Sequence, residues 1–304
     1  MQLPNRTGAE KAGAEKTARD RTARPIAGAH PVLTVAVTGG KGGVGKTSIA
    51  VNLATACAAN GKRVLLLDGD LGLANVDVFL GLSPRYTLAH VLNGERTLEE
   101  VIVDTPQGFQ IVPAASGVAA MANMGVAEHI GLVRAFGSLA QNLDMLIVDT
   151  AAGLSHSVMQ FSQATQHVLV VICDEPASIT DAYALVKVLS RNHGVKRFRV
   201  VANMTRAPGE GSALFEKFER VTSRFLEVVL EYVGEIPDDS TMRRAIREQR
   251  PVAQCYPGSP SGRAFKNLAR KADTWPVPGG PRGNLEFFVE RLVQKPTMQL
   301  EVVQ

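Results

Sequence analysis

Six short, mostly apolar runs punctuate this chain: Val32–Val37, Val64–Leu67, Met145–Val148, Val168–Ile172, Phe198–Ala202 and Val228–Val233. Between them lie longer stretches whose apolar positions recur with helical spacing. A strand with one wet face alternates apolar and polar residues, whereas a continuous run is buried on both faces. Such runs alternating with helices predict an α/β fold, a doubly wound, mostly parallel sheet flanked by helices. Ligands of such sheets bind at the carboxyl ends of the strands.

The ends of the chain read differently. Residues 1–30 hold almost no large apolar side chain, with six Lys/Arg against three Asp/Glu, and are expected to be a disordered basic tail. The ordered domain is expected over 31–274. Residues 275–283, WPVPGGPRG, read as a Pro/Gly linker, and 295–304 as a frayed end. Between them, 284–294 predicts an amphipathic helix, because Leu285, Phe288, Val289 and Leu292 fall at i, i+3, i+4 and i+7. That stripe suits a bilayer surface or the face of the sheet. Only Arg282, Arg291 and Lys295 stand near it, so electrostatic anchoring to lipid would be weak, at roughly 1 kcal/mol per cation.

Composition narrows the classes. With 304 residues, 45% of them hydrophobic, the chain has enough apolar material for one large domain. A net charge of +4 permits an anionic partner without requiring one. Three widely spaced cysteines, Cys57, Cys173 and Cys255, argue against a disulfide framework, a structural zinc site or an iron–sulfur cluster, and favour a cytoplasmic setting. No apolar run is long enough to span a bilayer.

The chemistry starts after the first run. Gly40-Lys41-Gly42-Gly43-Val44-Gly45-Lys46-Thr47, followed by Ser48, is a glycine-rich phosphate loop between a strand and a helix. Its backbone N–H groups converge on phosphate oxygens, Lys46 reaches the outer phosphates, and Thr47 offers a hydroxyl to Mg²⁺. Lys41 is one lysine more than the loop needs. A cation there can lie across the phosphates of a facing subunit, which points to a nucleotide-dependent homodimer. Asp68 and Asp70 end the second run two residues apart and so share a side. Asp70 is assigned to the attacking water and Asp68 to the metal, with a turn-capping role as the alternative for either. Asp149 ends the third long run about 100 residues after the loop, the position of the Mg²⁺-side acid in such enzymes. Asn203 ends a later run, with no Lys-x-Asp after it to read guanine. Its amide can pair with adenine, which favours ATP.

GKGGVGKT, DGDLGLANVD (68–77), DTAAG (149–153), CDEP (173–176) and GEIPDDSTMRRAIREQRPV (234–252) together resemble the MinD/ParA family of deviant Walker A ATPases. GLANVD, ITDAYALVK and PRGNLEFFVERLV are most similar to its flagellar-number regulators of the FlhG/FleN type. The resemblance implies a slow Mg²⁺-dependent ATP hydrolase that dimerises on ATP, with Lys46 and Lys41 catalytic, Lys41 acting in trans, and Asp70 aligning water. It implies a C-terminal amphipathic helix that binds membrane or the protein's own core depending on nucleotide state, the membrane being the inner face of the cell membrane at the pole. It also implies a flagellar transcription activator and the polar GTPase FlhF as partners, without sequence-specific nucleic acid binding. The tail lacks the DQAxxLR-type segment with which some such regulators stimulate that GTPase. Gly69 stands where relatives usually carry alanine, which is expected to loosen the turn.

Two rivals remain open. A ParA-like partition protein would bind DNA non-specifically, with Arg243, Arg244, Arg247 and Arg250 as candidates, and a MinD-like regulator would act at the division site.

Overall fold

The alternation of buried runs and helices becomes a single eight-stranded sheet in the computed structural model, which describes residues 32–115, 125–278 and 286–288. In chain order the strands are β1 (Leu33–Thr38), β2 (Val64–Gly69), β3 (Val103–Asp104), β4 (Gln110–Val112), β5 (Met145–Thr150), β6 (His167–Ile172), β7 (Arg197–Thr205) and β8 (Val229–Pro237). Their spatial order is β3-β4-β2-β5-β1-β6-β7-β8, parallel throughout except for the β3–β4 pair at one edge. Order reverses around β1, which places its loop at a topological switch point.

Helices cover both faces. They are α1 (Lys46–Ala59), α2 (Val76–Leu80), α3 (Leu88–Leu92), α4 (Leu98–Val101), α5 (Val126–Ala135), α6 (His156–Ala164), α7 (Pro176–His193), α8 (Glu210–Phe225), α9 (Ser240–Arg247), α10 (Val252–Cys255) and α11 (Pro260–Ala272), with a 3₁₀ turn over Phe136–Asn142. The two-sided burial inferred from the sequence is visible along β5. Met145 and Ile147 pack with Ile49 and Leu53 of α1 on one face, while Leu146 and Val148 pack with Leu132, Phe136 and Phe161 on the other. The short β3 and β4, of two and three residues, carry too little pattern to be read ahead.

The C-terminal end departs from expectation. Trp275 opens the expected linker but is buried, with the Arg199 guanidinium 4.4 Å over its ring. His167 Nε2 lies 2.9 Å from the Pro276 carbonyl oxygen, so the segment is strapped to the sheet. Within the expected helix 284–294, residues Glu286–Phe288 form a turn and not a helix. Phe288 has φ +59°, in the left-handed region. Phe287 is buried, edge-on to Phe136 and stacked on Phe161, with its N–H donated to Ala164 O at 3.0 Å. Phe288, expected on a helical stripe, is buried in the same cluster. Burying two phenylalanines against aromatic neighbours outweighs one helical turn, since each contributes roughly 2–3 kcal/mol of transfer free energy. Leu285, Val289 and Leu292 lie outside the described residues, as do the tail 1–31 and residues 289–304. No helix among the described residues is long and apolar enough to cross a membrane.

Candidate nucleotide-binding site

The loop Gly39–Gly45 leaves β1 and enters α1 at the carboxyl end of the sheet. Gly43 and Gly45 hold φ of +80° and +94°, which a side chain would strain. A Cβ at Gly45 would also collide with the Asn203 amide. Gly40 is packed as tightly, against the backbone of Asp181 and Ala182 in α7. Gly42 and Gly43 have open space on their Cα, facing solvent. Val44 is buried, and Lys46, Thr47 and Ser48 form the first turn of α1. The N-terminus of that helix has no acidic residue in its first turn and no side-chain cap, so its N–H groups remain available to an anion.

Lys46 is buried and donates from Nζ to Lys41 O at 3.1 Å, across the cradle. Burial lowers its pKa, opposed by the charges of Asp149 and Asp70. Asp149 lies near the end of β5, fully enclosed, with the Thr47 side chain close enough to oppose the rise of its pKa. Its Oδ1 is buried without a hydrogen-bond partner. Burial pushes the carboxyl up to about 8, and the nearby charge of Asp68 pushes in the same direction. A buried carboxylate oxygen without a donor is a costly group, and a hard divalent cation beside a hydroxyl is what relieves it. The donor set therefore fits Mg²⁺ through Thr47 and Asp149.

Asp68 is placed otherwise than expected. Its Oδ1 accepts the Asp70 N–H at 3.1 Å, and its Oδ2 accepts those of Asn75 and Val76 at 2.9 and 3.1 Å. Both oxygens are thus engaged in tying the loop 70–76 to the strand, the turn-capping alternative, and not in waiting for a metal. Burial still raises its pKa to about 7. Asp70 is half-buried beyond it, near enough for its charge to act on Lys46, and accepts the Leu73 N–H at 3.1 Å. Gly69 does not loosen a turn. It sits buried in β2, where a Cβ would stand 2.7 Å from Asp149 O and 3.1 Å from Val148, so glycine lets the ends of β2 and β5 close together.

Asn203, at the end of β7, donates from Nδ2 to Val44 O at 2.8 Å. The structure thus gives its amide N–H₂ a bracing role under the phosphate loop. Lys41 is ion-paired with Glu175, the residue before α7. That hydrogen bond raises the lysine pKa. Glu175 was not singled out on its own from the sequence, although it lies within the CDEP motif. Of the arginine candidates for DNA, Arg243 pairs with Asp238 at 2.7 Å and Arg244 with Glu248 at 2.8 Å. All three cysteines are free thiols.

A family model described as the CobQ/CobB/MinD/ParA nucleotide binding domain matches residues 35–252, from β1 through the start of α10. The chain belongs to that family. It is 57% identical over 267 residues to the antiactivator FleN of Pseudomonas aeruginosa, a match covering 88% of this chain and 95% of that protein. The flagellum site-determining protein YlxH of Helicobacter pylori is 32% identical, covering 86% and 89%. Among solved structures, the septum site-determining protein MinD of Pyrococcus horikoshii complexed with Mg-ADP superposes with a TM-score of 0.67 at 26% identity, over 80% of this chain and 96% of that one. Both the MinD/ParA recognition and its flagellar-regulator branch, read from motifs, thus hold, as does the doubly wound fold.

Proposed function

We propose that this protein is an ATP-driven, dimerising switch that regulates flagellar number and flagellar gene expression. Its similarity to FleN and YlxH supports the flagellar role, and the word antiactivator in the name of the first supports a transcription activator as partner. FlhF and an anionic membrane surface are further proposed partners. The proposed location is the cytoplasm and, conditionally, the inner face of the polar membrane.

The observation that carries the nucleotide reading is the unsatisfied Asp149 carboxyl beside Thr47, one residue from Lys46. Thr47 and Asp149 would hold Mg²⁺, which when bound supplies charge neutralisation to the phosphates. The N–H groups of Gly42 to Ser48 cradle the phosphates, and Lys46 exchanges the Lys41 carbonyl for phosphate oxygen. Asn203 is proposed to meet adenine with the part of its amide that does not brace Val44. Asp70 orients the attacking water, and Asp68 holds the loop that carries Asp70. Lys41 leaves Glu175 to reach a nucleotide across the dimer. Phosphoryl transfer needs positioning and charge stabilisation more than covalent chemistry, and these residues supply both.

Exposed apolar side chains favour a dimer on this face. Leu73, Leu154 and Met204 are 71%, 48% and 45% exposed, on loops after β2, β5 and at the end of β7, all around the phosphate loop. Large apolar side chains displayed together at one end of a sheet mark a contact surface.

The test is Asp70→Ala with ATP and Mg²⁺. ATP binding is expected to persist while hydrolysis stops, so that size-exclusion chromatography shows a trapped dimer. Hydrolysis at the parental rate would remove Asp70 from the reaction. A monomer saturated with a non-hydrolysable analogue would remove the switch.

A further inference from the structure

β8 is the edge strand of the sheet, hydrogen-bonded to β7 on one side and to no other strand among the described residues. An edge of this kind displays backbone donors and acceptors that a further strand can take up. Beside it α11 packs against β8 and α1, and between α11 and β8 lies an open groove of about 640 Å³. On the β8 side it is lined by residues 233–237, with Val201 of β7 beyond them. The pairing register of β7 and β8 slips between Val200 and Val201, and there Gly234, with φ +128°, contributes no side chain.

The α11 wall is cationic. Arg263, Asn267, Arg270 and Lys271 all line the groove and are exposed. Spaced i, i+4, i+7 and i+8, they occupy one helical face. Among the described residues none of the three cations has a carboxylate within ion-pair distance. The pairs formed elsewhere engage other lysines and arginines. Glu235, the acid that also lines the groove, is turned to other partners, accepting the Gly211 N–H at 2.8 Å and the Tyr232 hydroxyl at 3.4 Å. Lys271 Nζ donates to Val233 O at 3.0 Å, so a lysine occupies an acceptor of the strand next to the bulge. A charged side chain laid on an edge protects it from indiscriminate pairing and is displaced by a carboxylate.

We propose that the groove between β8 and α11 docks an acidic, extended peptide segment of a partner protein, which pairs with β8 as an added strand and sets its carboxylates against Arg263, Arg270 and Lys271. Main-chain pairing supplies affinity in this mode, and alternate side chains supply specificity. Duplex DNA is the less apt occupant. It offers no main chain to take up the donors and acceptors of the β8 edge, which pairs with β7 on one side and with no other strand among the described residues. The site is separate from the phosphate loop, so it stands independently of the nucleotide reading.

The experiment uses the full chain and a fluorescein-labelled short peptide alternating glutamate with threonine, followed by fluorescence anisotropy at low salt. Saturable binding is expected, weakened about tenfold by Arg263→Glu with Arg270→Glu, two exposed positions whose change should leave thermal unfolding intact. Binding should also be lost when the alternate amides facing β8 are N-methylated, and kept when the other set is methylated. No binding at low salt, equal binding by the charge-reversed variant, or equal binding of both methylated peptides would overturn the proposal. So would capture of short duplex DNA through the same arginines without capture of the peptide.

Discussion

The two ends of β5 carry aspartates in opposite electrostatic conditions. Asp144, just before the strand, accepts the Arg63 N–H at 2.8 Å and receives both Nε and Nη2 of the guanidinium, at 3.1 and 2.7 Å. Those bonds hold its carboxyl below the usual carboxylate range. Asp149, at the other end, is buried with one oxygen unmatched and its pKa pushed up to about 8. The same strand is thus neutralised at its start and left with an unmatched carboxyl oxygen at the end where the proposed site lies. Under the proposed function, a cation and phosphates would restore at the carboxyl end the stability that the buried, unmatched Asp149 forgoes.

Replacing Asp149 by asparagine should break that contrast most severely. Without a carboxylate, Mg²⁺-dependent nucleotide affinity is expected to fall by about 100-fold, near 3 kcal/mol, measured by titration calorimetry with and without Mg²⁺. The nucleotide-free protein should move the other way. A carboxyl raised from 3.8 to about 8 keeps its proton when folded and loses it when unfolded, so the unfolded state binds fewer protons between those values. Stability of the parent therefore falls as pH rises from about 4 to about 8, with Asp68, raised to about 7, acting in the same sense. Denaturation at pH 8 should find Asp149→Asn more stable than the parent, by about 2 kcal/mol. A variant less stable at pH 8 would mean that the carboxyl already has a compensating partner.

Asn203→Ala tests whether the binding end depends on bracing as well as charge. The substitution leaves the buried Val44 carbonyl without the amide that now donates to it. A freer loop is expected to bind ATP about fivefold more weakly, near 1 kcal/mol. If Asn203 also meets adenine, ATP should lose more affinity than inorganic triphosphate. Equal losses would confine the residue to the brace.

Much of the binding end was legible in the sequence because its geometry is local. Glycines at Gly43 and Gly45 are needed for positive φ, and Lys46, Thr47 and Ser48 are fixed by the helix they begin. The mostly apolar runs gave six strands because a run without strict alternation reports two covered faces, as in β1, β2, β5, β6 and most of β7, whereas the run that became β8 lies partly exposed at the edge. Residues whose roles depend on distant segments were not legible. Asp68 and Asp70 look alike in DGD, and only the return of Asn75 and Val76 onto Asp68 shows which of them caps the loop. Gly69 reads as slack until Asp149 is seen against it. Phe288 satisfies a helical stripe on paper. The aromatic pocket of Phe136 and Phe161 that draws its neighbour Phe287 inward is assembled from segments over 100 residues away in the sequence.

Arg63→Ala addresses the quiet end of the comparison, and its effect should be the smallest. The Arg63 side chain is 53% exposed and that of Asp144 27%, so solvent screens the pair and its net worth is about 1 kcal/mol despite the bidentate geometry. Because the pKa of Asp144 is lowered in the folded state, its contribution is present above the unfolded carboxyl value. It disappears as pH falls through the folded one. Chemical denaturation should therefore separate variant from parent at pH 7 and bring them together under strong acid. Nucleotide affinity should stay within twofold, because Arg63 and the phosphate loop lie at opposite ends of the strands. A larger loss of affinity would show that the two ends of the sheet are coupled, and that the division of labour along β5 is not local.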